Sequence, residues 1–335
     1  MKALILPGLG GPEQLRIDEI ATPEPGPGQV RVRLRAAALN RRDVWITLGQ
    51  YPGIRLPCIL GSDGAGTVDA LGPDAPAELL GQAVVVYPAY DWGDNPGFPS
   101  PTFRVLGMPD PGAFAEYLCV PAGHVFAKPA HLNWEQAAAI PLAGLTAWRA
   151  LMTQAAAQAG ETVLITGIGG GVATFALKWA VALGARTFVT SGDDGKLEQA
   201  RRMGAAGGVN YRDEHWAKRL LELSGGVDVA IDGAGGPSFK DCFSLLKPAG
   251  RLVVYGATAG NPPRGLEMAK LFFRQARIIG STMGSPAEFA DMLHLVVKHR
   301  IEPALDQIFP FDQAVAAHQR LLAGEQMGKI VLRHG

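Results

Sequence analysis

The chain has 335 residues, 47% of them hydrophobic, enough for one large domain or two ordinary ones. Lysine plus arginine equal aspartate plus glutamate, 31 each, and no basic stripe appears, which excludes nucleic acid and anionic membrane as expected partners. No stretch approaches the roughly 18 apolar residues of a bilayer span, the start MKALILPG lacks a signal-peptide core, and Cys58, Cys119 and Cys242 stand far apart, so the expectation is a reduced, cytoplasmic protein.

Residues 1–125 read as β-rich. Met1–Leu6 and Leu15–Ile20 are short candidate strands. After the rigid turn PEPGPGQ, Val30–Arg35 alternates as V-R-V-R-L-R, which predicts a strand with one buried and one solvated face. ALNRRDVWITLG at 38–49 reads as a loop with a helical turn, LGSDGAGTV as a glycine-rich strand and turn, and Gly81–Tyr87 as another strand. Tyr87–Gly112 is dense in proline, glycine and aromatics and predicts a long ordered loop. Its Trp92, Phe98 and Phe103 would offer apolar surface at a substrate entrance. AFAEYLCVPAGHVFAKP resumes strands, and Trp134–Ala139 and Leu142–Gln158 are helical by composition.

Glu161–Tyr211 organises the chain. An apolar run at Val163–Ile165 leads into glycines 167, 169, 170 and 171, a proline-free helix Val172–Leu183, and a second apolar run at Thr187–Thr190. This is a βαβ unit. Glycines let the backbone approach a pyrophosphate, and the helix N-terminus offers it N–H groups. A site selective for NAD places a carboxylate at the end of the second strand. Here that position is Ser191, with Lys196 shortly after, so the reading is NADP(H). Asp193 or Asp194 would reverse it by reaching the ribose.

Further βα units follow. His215–Leu223, Phe239–Leu246 and Leu266–Arg274 are helical; Val227–Asp232, Gly250–Tyr255 and Arg277–Gly280 are strands. Their order implies a parallel, doubly wound sheet. A helix at Glu288–His299, a strand near Pro303–Phe309, the helix FDQAVAAHQRLLAG and the strand GKIVLR return the chain to its first domain.

The blocks PGPGQVRVRLRAAALNRRD, LGSDGAGTV, GAFAEYLCVP, AAAIPLAGLTAW, TGIGGGVA, GKLEQARRMGA, VNYR and MGKIVL, in this order over nearly the whole chain, resemble the medium-chain dehydrogenase/reductase superfamily. The resemblance implies an α/β protein. A GroES-like β-rich catalytic domain would span 1–125 and 284–335, a doubly wound Rossmann NADP-binding domain 126–283, and a cleft would separate them. Zinc-type alcohol dehydrogenases of this superfamily carry a catalytic Cys, a Gly-His-Glu and a four-cysteine loop. This chain has Asn40, Gly61-Ser62-Asp63 and a cysteine-free 87–112 instead. Zinc needs three or four ligands in tetrahedral array. The chain therefore resembles the zinc-independent, quinone oxidoreductase-like branch, and no metal is expected. The resemblance also assigns cofactor residues. Gly170, Gly171 and Val172 would meet the pyrophosphate, and Thr146 the nicotinamide phosphate. Ser191, Lys196 and Tyr211 would flank the 2′-phosphate and adenine. Gly256, Ala257 and Thr258 end a strand beside the cofactor, and Met283 and Gly284 would meet the carboxamide. Lys329 is either a lysine near the cofactor or a strand lysine in solvent.

Hydride transfer is mostly a positioning task, and the carbonyl oxygen that gains charge needs donors. Without zinc the candidates are Asn40, Tyr51, Ser62 and Tyr87 or Tyr90. Asn40 also suits a cap for the turn into Arg41–Asp43, and Asp43 a helix cap. Conjugation in a quinone or an α,β-unsaturated carbonyl spreads charge and asks less of a Lewis acid, so reduction of these by NADPH is the expected activity. The alternatives are a non-catalytic NADPH-binding protein, structural or redox-sensing, and an alcohol dehydrogenase of the zinc type. The RIIGS strand, as a sheet edge, would pair across a homodimer two-fold.

Overall fold

The alternating stretch at Val30–Arg35 lies within a ten-residue strand, Gln29–Ala38, in a computed structural model that describes every residue except Arg264. Val30, Val32 and Leu34 face the core, while Arg33 and Arg35 stay exposed. Arg31, on the same outer face, pairs with Asp69 of the neighbouring strand and with Glu24. Gln29–Ala38 pairs antiparallel with Asp63–Leu71, with Tyr117–Pro121 and with Lys329–Arg333. These strands form most of a seven-stranded sheet. They belong to a unit made of Met1–Ala143 and Gly284–Gly335. Its core holds Leu4, Leu6, Leu60, Phe114, Ile330 and Leu332 among others.

Three local expectations are corrected here. The LGSDGAGTV segment is not a strand and turn but an unbroken strand from Asp63. Its glycines serve close backbone approach: a Cβ on Gly66 would fall 2.1 Å from the Arg33 carbonyl oxygen. The 38–49 segment carries a helix, Arg41–Thr47, not a single turn. In the 87–112 lobe a short hairpin forms, Ala89–Tyr90 against Arg104–Val105. Arg104 staples it, pairing with Asp91 and Asp110 and lying 5.0 Å over the Tyr90 ring. Trp92 turns inward, edge-on to Phe103, so of its three large aromatics only Phe98, 62% exposed, presents an open apolar surface.

The second unit is Gly144–Met283. The expected boundary at 125/126 therefore moves to 143/144. The intervening residues are tied to the first unit: Val125–Ala127 pairs with Ala83–Val86, and the helix Trp134–Ala138 packs on Gln29–Ala38 and Asp63–Leu71. Asn133 caps that helix through the Gln136 N–H at 2.8 Å. The predicted helix at Leu142–Gln158 is α-helical over Pro141–Trp148 and continues as π-helix over Arg149–Gln154.

In the second unit six strands are parallel throughout, in the spatial order Gly207–Asn210, Arg186–Ser191, Thr162–Ile165, Val227–Asp232, Leu246–Val254, Arg277–Gly280. Numbered by sequence, that order is 3-2-1-4-5-6. The direction of winding reverses between Thr162–Ile165 and Val227–Asp232. Ligands of such sheets bind outside the carboxyl ends of the strands at this point. Arg277–Gly280 is an edge, as the sequence suggested.

Candidate functional site

At the switch point the first strand runs into a loop whose Gly167 and Gly169 have φ of 64° and 135°. Side chains rarely adopt these angles, so the loop requires glycine there. Gly170 is the N-cap of the helix Gly171–Leu183, and it leaves the first N–H groups of Gly171 and Val172 without helical partners. Such an end attracts an anion. The neighbouring strand ends are locked together. The Thr166 hydroxyl donates to Asp232 at 2.6 Å, and Asp232 also accepts the N–H groups of Ala234 and Gly235. Thr258 donates through its N–H and its hydroxyl to Gly233 O, both at 3.2 Å, which fixes the Gly256–Ala257–Thr258 turn beside this loop. Thr146 and Met283 meet, the hydroxyl 3.9 Å from the thioether sulfur.

At the end of the second strand Ser191 is buried, and its Oγ accepts the Asp193 N–H at 3.1 Å. Asp193 caps its own helix, accepting from Gly195 and Lys196 at 2.7 and 3.2 Å. Asp194 accepts from Asn210 Nδ2 at 3.1 Å. Both carboxylates that would have reversed the cofactor reading are thus engaged in local structure. Two side chains approach Gly192 closely: a Cβ there would stand 2.8 Å from Tyr211 Oη and 2.9 Å from Arg212 Nε. Sequence reasoning took Tyr211 from the N-Y-R block and passed over Arg212. The guanidinium is exposed and makes no ion pair among the described residues.

The catalytic candidates lie in the first unit, around a buried ion pair. Lys329 is 2% exposed, so the reading of a strand lysine in solvent is overturned. Its Nζ donates to Leu39 O at 2.7 Å, Asn40 Oδ1 at 2.7 Å and Asp63 Oδ2 at 2.8 Å. All three ammonium protons are used. Asp63 is 0% exposed; its Oδ2 also accepts from Asn40 Nδ2 at 2.9 Å, and its Oδ1 accepts the Leu142 N–H at 2.7 Å. Asn40 is the N-cap of Arg41–Thr47, yet its side chain serves the ion pair, while Asp43 Oδ2 accepts the Asn40 N–H at 2.8 Å. Burial pushes the Asp43 carboxyl up to about 6 against the pull of Arg42.

Arg42 is a second residue that sequence reasoning missed. Buried, it donates to Ser62 Oγ at 2.8 Å and Leu106 O at 2.9 Å, and it lies 5.0 Å from the Tyr51 ring centroid. Ser62 in turn donates to Leu106 O at 2.7 Å, so its hydroxyl proton is committed. The Tyr87 hydroxyl donates to Gly284 O at 2.7 Å, and its ring packs edge-on against His124 and Phe289. Burial raises the Tyr90 phenol well above its ordinary pKa and lowers His124 to about 4. Three of the five candidate donors retain a proton that no described residue takes: Asn40, through one N–H of Nδ2, and half-buried Tyr51 and Tyr90, neither of which makes a hydrogen bond through its hydroxyl among the described residues.

Relatives of this fold bring zinc to mind, and the donor set does not fit it. Both oxygens of Asp63 are occupied, and an ammonium fills the place between Asn40 and Asp63 that a cation would take. Among the described residues no group of three or more His, Cys, Asp or Glu side chains suits a metal ion, and no helix is long and apolar enough to cross a membrane.

Comparison with known proteins adds family models and relatives. Residues 26–130 match the alcohol dehydrogenase GroES-like domain, and 171–298 the zinc-binding dehydrogenase domain. The chain is 37% identical to the zinc-type alcohol dehydrogenase-like protein YogA of Leptosphaeria maculans, covering 95% of this chain and 94% of that one. It is 32% identical to a quinone oxidoreductase of Pseudomonas aeruginosa over 96% of each. Among solved structures, an NAD-dependent alcohol dehydrogenase is 37% identical with a TM-score of 0.94 over 100% of both chains. Crotonyl-CoA carboxylase/reductase AntE in complex with NADP is 25% identical with a TM-score of 0.91, over 99% of this chain and 94% of that one.

Proposed function

Since this chain is an oxidoreductase of the medium-chain dehydrogenase/reductase superfamily, grouped with zinc-type alcohol dehydrogenase-like proteins and quinone oxidoreductases, we propose that it reduces quinones or α,β-unsaturated carbonyls with NADPH and without zinc. The observation that carries this is the Lys329 ammonium between Asn40 and Asp63. A site whose cation is a side chain lacks an open coordination position for an alcohol oxygen. It retains N–H and O–H donors, which suit a conjugated carbonyl.

The residues at the switch point suit a dinucleotide. The Gly170–Val172 helix start would hold the pyrophosphate, and Ser191, Lys196, Tyr211 and Arg212 the adenosine end. Thr146, Gly256–Thr258, Met283 and Gly284 are proposed for the nicotinamide end. Lys329 is moved from that group, because its protons are spent on Leu39, Asn40 and Asp63. When bound, the nicotinamide supplies a hydride to the substrate. The similarity to a protein named as NAD-dependent supports a second reading, NADH in place of NADPH. The engagement of Asp193 and Asp194 favours the first.

Arg212 gives the sharper test. A guanidinium hydrogen-bonded to a phosphate contributes about 1.5–3 kcal/mol. Arg212→Gln is expected to weaken 2′,5′-ADP binding by about tenfold to a hundredfold and leave 5′-AMP unchanged, as read by calorimetry. Equal effects on both ligands would remove the 2′-phosphate role. For the reaction, NADPH oxidation by 1,4-benzoquinone or cyclohex-2-enone is expected to persist in EDTA. Turnover abolished by EDTA and restored by zinc would overturn the reading.

The proposal includes a cytoplasmic homodimer acting on a small molecule. The edge strand Arg277–Gly280 has unpaired backbone groups, and Phe273 beside it is 81% exposed. Light scattering at micromolar protein is expected to give twice the chain mass; the single-chain mass would refute pairing.

A further inference from the structure

Strand register brings three polar side chains to one level in the Gly144–Met283 unit. Ile165 pairs with Val189 on one side and with Ile231 on the other. The residues that follow, Thr190, Thr166 and Asp232, therefore lie side by side where the strands end. The sequence shows the same step three times, as ITG, VTS and IDG. All three side chains are buried, and burial of a polar group is costly unless it is hydrogen-bonded.

Their bonds run into the glycine loop. Asp232 Oδ1 accepts the Thr166 hydroxyl at 2.6 Å and the Ala234 N–H at 2.9 Å, and the Gly235 N–H lies 3.3 and 3.2 Å from its two oxygens. Only donors surround it, which suits an ionised carboxylate. No cation among the described residues pairs with it. The Thr166 hydroxyl also accepts the Gly233 N–H at 3.3 Å. From the other side Thr190 takes the Gly167 N–H on its hydroxyl at 3.2 Å and the Ile168 N–H on its carbonyl at 2.8 Å. The entrance to the loop is thus gripped on both flanks, immediately before the left-handed turn at Gly167.

Glycine gives this grip its importance. It loses more freedom on ordering than any other residue, and Gly167, Gly169, Gly170 and Gly171 stand close together. A loop ordered only by its ligand would subtract that ordering from the ligand's affinity. A hydroxyl bonded to a carboxylate makes one of the stronger hydrogen bonds, so the Thr166–Asp232 contact is the firm side of the grip. We propose, on the basis of the cofactor reading above, that Asp232 is a positioning residue: through Thr166 it holds the Gly167–Gly171 loop in its binding conformation before a dinucleotide arrives. It acts through that hydroxyl and not by contact with the ligand.

The test uses the full chain with Thr166→Val, which keeps the branched shape and removes the hydroxyl, and with Thr166→Ser, which keeps the hydroxyl. Asp232→Asn, a neutral and weaker acceptor, takes the place of the valine variant if valine prevents folding. Circular dichroism establishes which variants are folded. Two readouts separate positioning from general support of the fold. One is amide deuterium exchange over residues 166–171 without ligand, read by mass spectrometry; the other is NADPH affinity, read by calorimetry. In folded Thr166→Val the loop amides are expected to exchange faster, while those of the last helical turns before Leu183 keep their protection. The Kd for NADPH is expected to rise by about tenfold to a hundredfold, as the ordering of one or two backbone residues moves to the binding step. KM for NADPH is expected to rise with it and kcat to stay unchanged. Thr166→Ser is expected to restore both readouts. A folded Thr166→Val, or Asp232→Asn in its place, that binds NADPH as tightly as the wild type overturns the proposal. So does weaker binding with unchanged exchange in the loop. Failure of the cofactor reading looks different: the wild type would then bind neither NADPH nor NADH, and the proposal would fall with it.

Discussion

Asp63→Leu is expected to destabilise the protein by about 3–5 kcal/mol, the range for removing one partner of a buried ion pair. The leucine leaves the Lys329 ammonium with only Leu39 O and Asn40 Oδ1, and it also strips the Leu142 N–H and one Asn40 N–H of their acceptor. Dehydrating a charge costs more than two neutral acceptors return. Adding Lys329→Met is expected to recover most of the loss, because a buried pair replaced whole by apolar groups is close to neutral. Urea unfolding followed by circular dichroism reads both, with the midpoint moving and the slope constant. If the double variant is as unstable as Asp63→Leu alone, Lys329 is not the group left stranded.

The second large effect is with pH. His318 and His334 are buried, and burial lowers both to about 4; the Ala314 carbonyl and Glu116 respectively oppose the shift. In the folded protein they stay neutral down to that pH, whereas in the unfolded chain they take up protons below about 6.5. The unfolded state then binds more protons, so stability is present above 6.5 and is lost as pH falls towards 4. The shift corresponds to about 3 kcal/mol for each histidine. Asp43 works in the opposite direction. Its carboxyl, raised to about 6, takes a proton in the folded state first, and folding gains stability as pH falls from 6 towards 4. His124, lowered to about 4 in the same way, adds a third such loss; the Asp43 gain offsets about one histidine, so a net loss of about 6 kcal/mol remains between pH 6.5 and 4. Replacing His318 and His334 with glutamine is expected to remove the loss. Melting temperatures at pH 7.5 and 4.5 that fall equally in wild type and variant would defeat this assignment.

Local pattern explains what was legible in the sequence. The Thr162–Ser191 βαβ unit could be read because glycine, apolar run and helix length all lie within one short window. The alternation at Val30–Arg35 was legible for the same reason. The glycines at 61–66 misled because a Gly-rich run reads alike whether it makes a turn or lets two strands approach, and only the Arg33 backbone decides. Trp92 and Phe103 read as surface because their mutual packing is invisible in composition. The ion pair was least legible. Lys329 lies 266 residues from Asp63 and 289 from Asn40, so no spacing rule joins them. Resemblance drew attention to the lysine but named none of its three partners, Leu39, Asn40 and Asp63. Arg212 was visible beside Tyr211, but only its close approach to Gly192 in the fold drew attention to it.

The first unit is drawn from two distant stretches, and its strand Lys329–Arg333 lies between Gln29–Ala38 and Leu305–Pro310. During synthesis this has a consequence in time. The Gly144–Met283 unit emerges as one continuous piece and can fold as it leaves the ribosome. Asp63 and Asn40 are made early but must wait for the last strand to supply their ammonium. Until then the carboxylate needs water or a proton, so its surroundings stay wet and its sheet unfinished. The arrival of Lys329–Arg333, not the folding of the Gly144–Met283 unit, thus sets when the Asp63–Lys329 ion pair first exists.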